Sequence, residues 1–175
     1  MLSAPTVFVL RIKKQFRGII VENPSHGGTI KMEKTPELLC YIYKNVKMGS
    51  DSIITLMPKV DDAAFRTALT DQLSGYEKFA SEAEKQLTPY GIKPKEETMM
   101  KKMSAKVGIA MNTMADASTS HLAEMLIQGS TMGITDMTKR VREFEGNGCP
   151  EQALKVGRDL ITFEQKNIEK MKKFL

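Results

Sequence analysis

From residue 36 to its end the chain repeats apolar residues every three or four positions, the rhythm of helices that each bury one stripe. Leu39, Ile42, Val46, Gly49, Ile53 and Leu56 are spaced 3, 4, 3, 4, 3, an a/d pattern that predicts a first helix over 36–57. Thr35 and Pro36 read as its N-cap and first residue, and Pro58 ends it. Asp61 is the expected cap of a second helix, with Val60 and Phe65 placed to staple its start. Its inward stripe is Phe65, Leu69, Gln72, Tyr76, Phe79 and Ala83, running to about Leu87, and Pro89, Gly91 and Pro94 form the loop that follows.

A third and longest helix is predicted from near Glu96, with Met100, Met103, Val107, Ala110, Met114, Ser118, His121, Met125 and Gln128 inward. Gly129 and Gly133 interrupt this pattern, which resumes at Met137, Val141 and Phe144 and stops at Gly146-Asn147-Gly148. The fourth helix starts at Pro150 and runs to the C-terminus, its inner face lined by Ala153, Val156, Leu160, Phe163, Asn167, Met171 and Phe174. Four amphipathic helices bury their stripes most simply as an all-α, antiparallel, up-and-down four-helix bundle.

Composition agrees. The 175 residues are 41% hydrophobic and 27% charged, without tryptophan and with 13 methionines, a helix-favouring and adaptable core residue. Cys40 and Cys149 match no zinc or CxxC spacing and suit a reducing, cytoplasmic setting. No apolar run is long enough for a membrane span.

Residues 1–31 read as a separate N-terminal arm before a 32–175 bundle domain. They hold five basic residues and one acid, and subtracting these leaves 21 basic and 20 acidic residues from Met32 onward. The bundle is nearly neutral and offers no basic face for nucleic acid. Two readings of the arm stand side by side: a native start at Met32, or a flexible or strand-forming arm. Nucleic-acid or anionic-membrane binding would then belong to the arm alone.

The stripes carry polar residues. Gln72, His121, Gln128 and Asn167 fall at inward positions, Glu124 and Glu164 lie beside them, and Gly49 leaves a gap. A buried polar group costs roughly 1–3 kcal/mol unless it finds a partner. The readings that follow are a polar layer in the bundle centre, as a remnant or variant of a metal site, or else a stripe that is one residue out, or groups that sit at boundary positions.

Glu124 on the third helix and Glu164-Gln-Lys-Asn167 on the fourth give a pattern that resembles the ferritin-like, rubrerythrin-related bundles. In that family a di-iron site takes a Glu from each of two helices and a Glu-x-x-His from each of the other two. The resemblance covers 36–175 in architecture. It maps Glu124 and Glu164 onto ligand positions, but Asn167 stands where His is expected. Gln72-Leu-Ser-Gly75 lacks both ligands, and Val46, Gly49 and Ile53 supply no carboxylate. It implies a ferritin-like fold without a complete di-iron centre, and no oxidase activity or cofactor is carried over. The residual candidate metal cluster is Gln72, His121, Glu124, Glu164 and Asn167.

Other chemistry is thin. There is no phosphate-binding glycine loop. Asp116, Ser118 and His121 share one helix and lack triad geometry. Met99, Met100, Met103, Met111 and Met114 could bind a soft metal, but at helical spacing they read as core. Gly129 and Gly133 suggest a close crossing, and Lys139, Arg140 and Arg142 a solvated face. The expectation is a non-enzymatic bundle acting through protein contacts, as a homodimer or with a helical partner. Its motive is apolar surface off the stripes at Leu38, Tyr43, Leu122, Leu126 and Ile161. The alternative is a metal-binding ferritin-like protein with an atypical or vestigial site.

Overall fold

The computed structural model describes residues 34–94 and 116–175. The arm at 1–31, the expected helix start at Glu96 and the methionine series from Met99 to Met114 lie outside the described residues. Within them are four long helices: α1 Lys34–Leu56, α2 Ala63–Leu87, α3 Thr119–Glu145 and α4 Glu151–Met171. There is no strand among the described residues. At 1.5 Å per residue the helices are about 32–40 Å long.

The boundaries follow local chemistry, with three corrections to the sequence reading. α1 already includes Lys34, so Thr35 lies in its first turn and is not its cap. α2 is capped one residue later than expected, by Asp62, whose Oδ1 accepts from Phe65 N–H at 2.7 Å. α3 begins at Thr119, because Ser118 Oγ accepts from His121 N–H at 3.3 Å and residues 116–118 are not helical. It then runs unbroken through Gly129 and Gly133 to Glu145. Gly148, at φ +75°, makes the left-handed turn between α3 and α4.

That cap explains a phase error on α3. A new helix starting at Ser118 resets the stripe, so Leu122, Ala123, Leu126 and Ser130 are buried, while His121, Met125 and Gln128 are half-buried. From Met137 onward the expected Met137, Val141 and Phe144 are the buried ones. On α2 the expected Phe65, Leu69, Gln72, Tyr76 and Ala83 are buried. On α4 Ala153, Val156, Leu160, Asn167 and Met171 are buried, and Glu164 is buried more deeply than its neighbour Phe163.

α1 packs most extensively on α2, and α3 on α4, with α2 against α4 and α1 against α3 completing the bundle. Paired residues give the directions. Phe65 meets Phe174 and Tyr76 meets Phe163, so α2 and α4 run in opposite senses. Tyr41 lies under Arg140 and Asn45 beside Gly133, so α1 and α3 also oppose. Ser120 Oγ donates to Leu175 O at one end of the α3–α4 pair, and Lys34 Nζ donates to Asn147 O at the other end of the bundle. It follows that α2 and α3, which sit diagonally, run in the same sense. The end of α2 and the start of α3 therefore lie at opposite ends, and a short antiparallel return at Pro89–Pro94 does not describe this connection.

α1 is buried around most of its circumference: Leu38, Leu39, Cys40, Tyr41, Ile42 and Tyr43 are all at most 3% exposed. The off-stripe residues Leu38, Tyr43, Leu122 and Leu126 are buried, and Ile161 is packed against the core. The spare apolar surface expected from the sequence is thus interior. Among the described residues the exposed large apolar side chains are Ile54, Tyr90 and Leu175.

Close helix approaches use glycines other than the expected pair. A Cβ on Gly49 would lie 2.5 Å from Tyr76 Cζ, and one on Gly75 would lie 2.2 Å from Phe163 Cζ. On Gly157 it would lie 2.7 Å from Val141 Cγ2. Gly129 has nothing within 4 Å, so it does not serve a close crossing.

Two alanine substitutions should therefore differ in sign. Gly129→Ala adds helix propensity in open space and should stabilise by about 1 kcal/mol. Gly49→Ala gains the same propensity but collides with a buried ring that is fixed by hydrogen bonds. Overpacking of about 1–3 kcal/mol should leave it net destabilised. Urea melts of both variants check this, and equal shifts would refute the socket at Gly49.

Candidate functional site

Several of the interior polar positions gather around Glu164, on the inner face of α4 and 4% exposed. Its Oε1 accepts from the Tyr76 hydroxyl of α2 at 2.5 Å. Its Oε2 accepts from Ser130 Oγ of α3 at 2.7 Å. One turn before Tyr76, Gln72 Nε2 donates to the Tyr76 oxygen at 3.0 Å. One carboxylate thus ties three helices together at a single level of the bundle.

The sequence positions this layer simply. Gln72 and Tyr76 are four apart and face the same way on α2, as Glu164 and Asn167 do at i, i+3 on α4. Tyr76 reaches inward because Gly49 of α1 leaves room for the end of its ring. Phe163 closes one side, with its ring 5.6 Å from Tyr76 edge-on and 5.4 Å from Phe79.

Glu164 has no basic partner among the described residues. Burial pushes its carboxyl above the usual range, opposed by the hydrogen bonds from Tyr76 and Ser130. Burial first, then the neighbouring Glu164 charge, holds the Tyr76 phenol well above 10, so it remains a hydroxyl donor at physiological pH. Among the described residues three buried polar atoms lack partners: Gln72 Oε1, Asn167 Nδ2 and Asn45 Nδ2. The pairs Phe65–Phe174 and Tyr76–Phe163 set a register that puts Gln72 and Asn167 at matching levels on facing helices.

The five candidate ligands divide into two groups. Gln72 and Glu164 meet through Tyr76, and Asn167 lies one turn further along α4. His121 and Glu124 lie instead towards the outer side of α3. His121 Nδ1 is 3.9 Å from Glu124 Oε2, and Glu124 also accepts from Gln128 Nε2 at 3.2 Å. The inner group offers one carboxylate, with both oxygens already held by hydroxyls. Among the described residues no three His, Cys, Asp or Glu side chains converge as a metal site would need. The arrangement does not fit a di-iron centre.

Other sequence candidates resolve differently. Asp116, Ser118 and His121 form a helix cap: Asp116 accepts from Ser118 N–H at 2.8 Å, and Ser118 serves the His121 backbone, not its ring. The backbone hydrogen bond from Ser118 holds the Asp116 carboxyl below its usual range. Arg140 lies over the Tyr41 ring at 5.0 Å and pairs with Glu143 at 3.1 Å, so it is not merely a solvated cation. Cys40 and Cys149 are free and buried, and burial pushes the Cys40 thiol up to about 11.

Sequence reasoning missed Tyr76 and Ser130 as polar participants. Tyr76 was legible only as an aromatic core residue, and Ser130 is hidden by the phase reset on α3. The gap at Gly49 opposite a Tyr on the neighbouring stripe was the available signal. No family model, curated protein or solved structure matches the chain.

A carboxyl raised by burial binds its proton more tightly in the folded than in the unfolded state. Its charge therefore costs stability progressively as pH rises from its unfolded value through its folded one. Glu164→Gln keeps the shape and removes the charge. It should be at least as stable as the parent at pH 7, and that difference should shrink towards pH 4. Denaturant melts across pH check this, and a variant that is less stable at pH 7 than at pH 4 relative to the parent would contradict it.

Proposed function

We propose that this chain is a non-catalytic, ferritin-like helical bundle that acts by contacting other proteins or a second copy of itself. The ferritin-like reading draws support from the shared sense of α2 and α3, which in such bundles accompanies one long crossover connection. The non-catalytic reading rests on one observation. The acid at the bundle centre is engaged on both oxygens by the Tyr76 and Ser130 hydroxyls, and no second carboxylate meets it among the described residues. Di-iron chemistry in bundles of this class needs several carboxylates facing one another.

The apolar residues that first suggested self-association are interior, so among the described residues the surface left for contact is largely polar. The outer face of α2 presents Glu77, Lys78, Glu84 and Lys85, all exposed. Free, buried cysteines and the absence, among the described residues, of a helix long and apolar enough to cross a membrane favour a cytoplasmic role. The metal-binding alternative has less support, since its candidate ligands divide between the interior and the outer side of α3.

Protein purified without chelators should carry far less than one equivalent of iron, manganese or zinc, and its melting temperature should not move when these ions are added. Stoichiometric metal together with a thermal shift would overturn the non-catalytic reading. Light scattering over a range of concentrations separates the two modes of contact. A reversible dimer supports self-association, and a monomer throughout removes it and leaves a different protein as the partner.

A further inference from the structure

The polar layer has a property beyond holding helices together. Its hydrogen bonds form a chain with a direction: Gln72 Nε2 donates to Tyr76 O, and Tyr76 O–H donates to Glu164 Oε1. That direction requires Glu164 Oε1 to be an acceptor, so this oxygen carries no proton. It also leaves Gln72 Oε1 buried without a donor.

We propose that this chain is reversible: uptake of one proton by Glu164 turns the Tyr76 hydroxyl and flips the Gln72 amide, so the layer is a proton-driven switch. The proton from solvent binds Oε1, and the carboxylate becomes a neutral acid. Its new O–H donates to the Tyr76 oxygen, displacing the Tyr76 hydrogen from that side. The Tyr76 O–H then points along α2, where only an acceptor can meet it. Rotation of the Gln72 amide by a half-turn brings Oε1 to that place. No bond other than the new O–H is formed, and the layer goes from one negative charge to none. Both forms make two hydrogen bonds along the Gln72–Tyr76–Glu164 line and leave one side of the Gln72 amide unpartnered, which makes the layer two-state.

The surroundings isolate the switch. From α2 the titratable group facing Glu164 is Tyr76, and it stays protonated. α3 contributes the neutral Ser130 hydroxyl. α1 sets Gly49 against the Tyr76 ring, and no charged side chain of α1 or α3 contributes to the electrostatics of Glu164. The flip replaces an unpartnered Gln72 oxygen with an N–H at the level of Asn167 on α4, altering what the two facing helices present to each other.

Nuclear magnetic resonance of the full, isotope-labelled chain tests this. The Glu164 carboxyl carbon should titrate above 4.5, and the Gln72 side-chain amide resonances should shift with the same midpoint. Tyr76→Phe should uncouple the amide from the carboxyl. Ser130→Ala, which removes the hydroxyl within reach of both Glu164 and Tyr76 but none of the Gln72–Tyr76–Glu164 bonds, should raise the midpoint while keeping the two signals coupled. Gln72 resonances that stay fixed through the Glu164 titration, in the parent or in Ser130→Ala, would overturn the proposal. So would a coupling that survives in a folded Tyr76→Phe protein.

Discussion

The structure depends on how a carboxylate at its centre is held there. Glu164 sits in the centre of a helical bundle without a cationic partner among the described residues, held by hydroxyls from two other helices. A buried ionised group is costly unless its lone pairs are met. Tyr76 meets one oxygen only because its ring projects across the bundle into the space at Gly49, and Ser130 meets the other only because α3 is phased from Ser118. The carboxylate therefore fixes the relative height and rotation of α2, α3 and α4. Apolar stripes tolerate a slip of one turn, whereas a 2.5 Å hydrogen bond does not. Buried polar groups can act in this way to select one packing among several of similar energy.

Much of this was legible in the residues. Periodicity located α2 and α4 and most of their buried faces, because both helices keep one phase from end to end. It also placed Gln72 and Asn167 inside. α3 was misread because the periodicity from Met100 to Met114 continues in step through Ser118 to Gln128. The cap at Ser118 that restarts the phase is a matter of one side-chain oxygen and one backbone N–H. The same capping chemistry turned Asp116, Ser118 and His121 from a nominal triad into a helix start. The direction of α3 was beyond the reach of periodicity, which gives the face of a helix and not its sense.

The buried circumference of α1 changes the picture of how the protein meets others. Leu38 and Tyr43 lie off its main stripe and were natural candidates for a dimer face, yet both are interior. A stripe drawn on one helix counts only the neighbours assumed for it. α1 has more cover than one stripe accounts for, and among the described residues the outward helix faces are largely of mixed charge. Contacts made there would be sensitive to salt, unlike those of an apolar seam.

The shared sense of α2 and α3 divides the chain into two local units. α1 with α2, and α3 with α4, are hairpins whose contacts are close in sequence, and such contacts form early and quickly. The Tyr76–Glu164 bond spans 88 residues and joins one hairpin to the other. Order of assembly follows from this: each hairpin closes on its own, and the hydroxyl finds the carboxylate only when the two dock. Glu164 Oε1 thus gains its hydroxyl partner only on docking, whereas Ser130 reaches Oε2 from within the same hairpin.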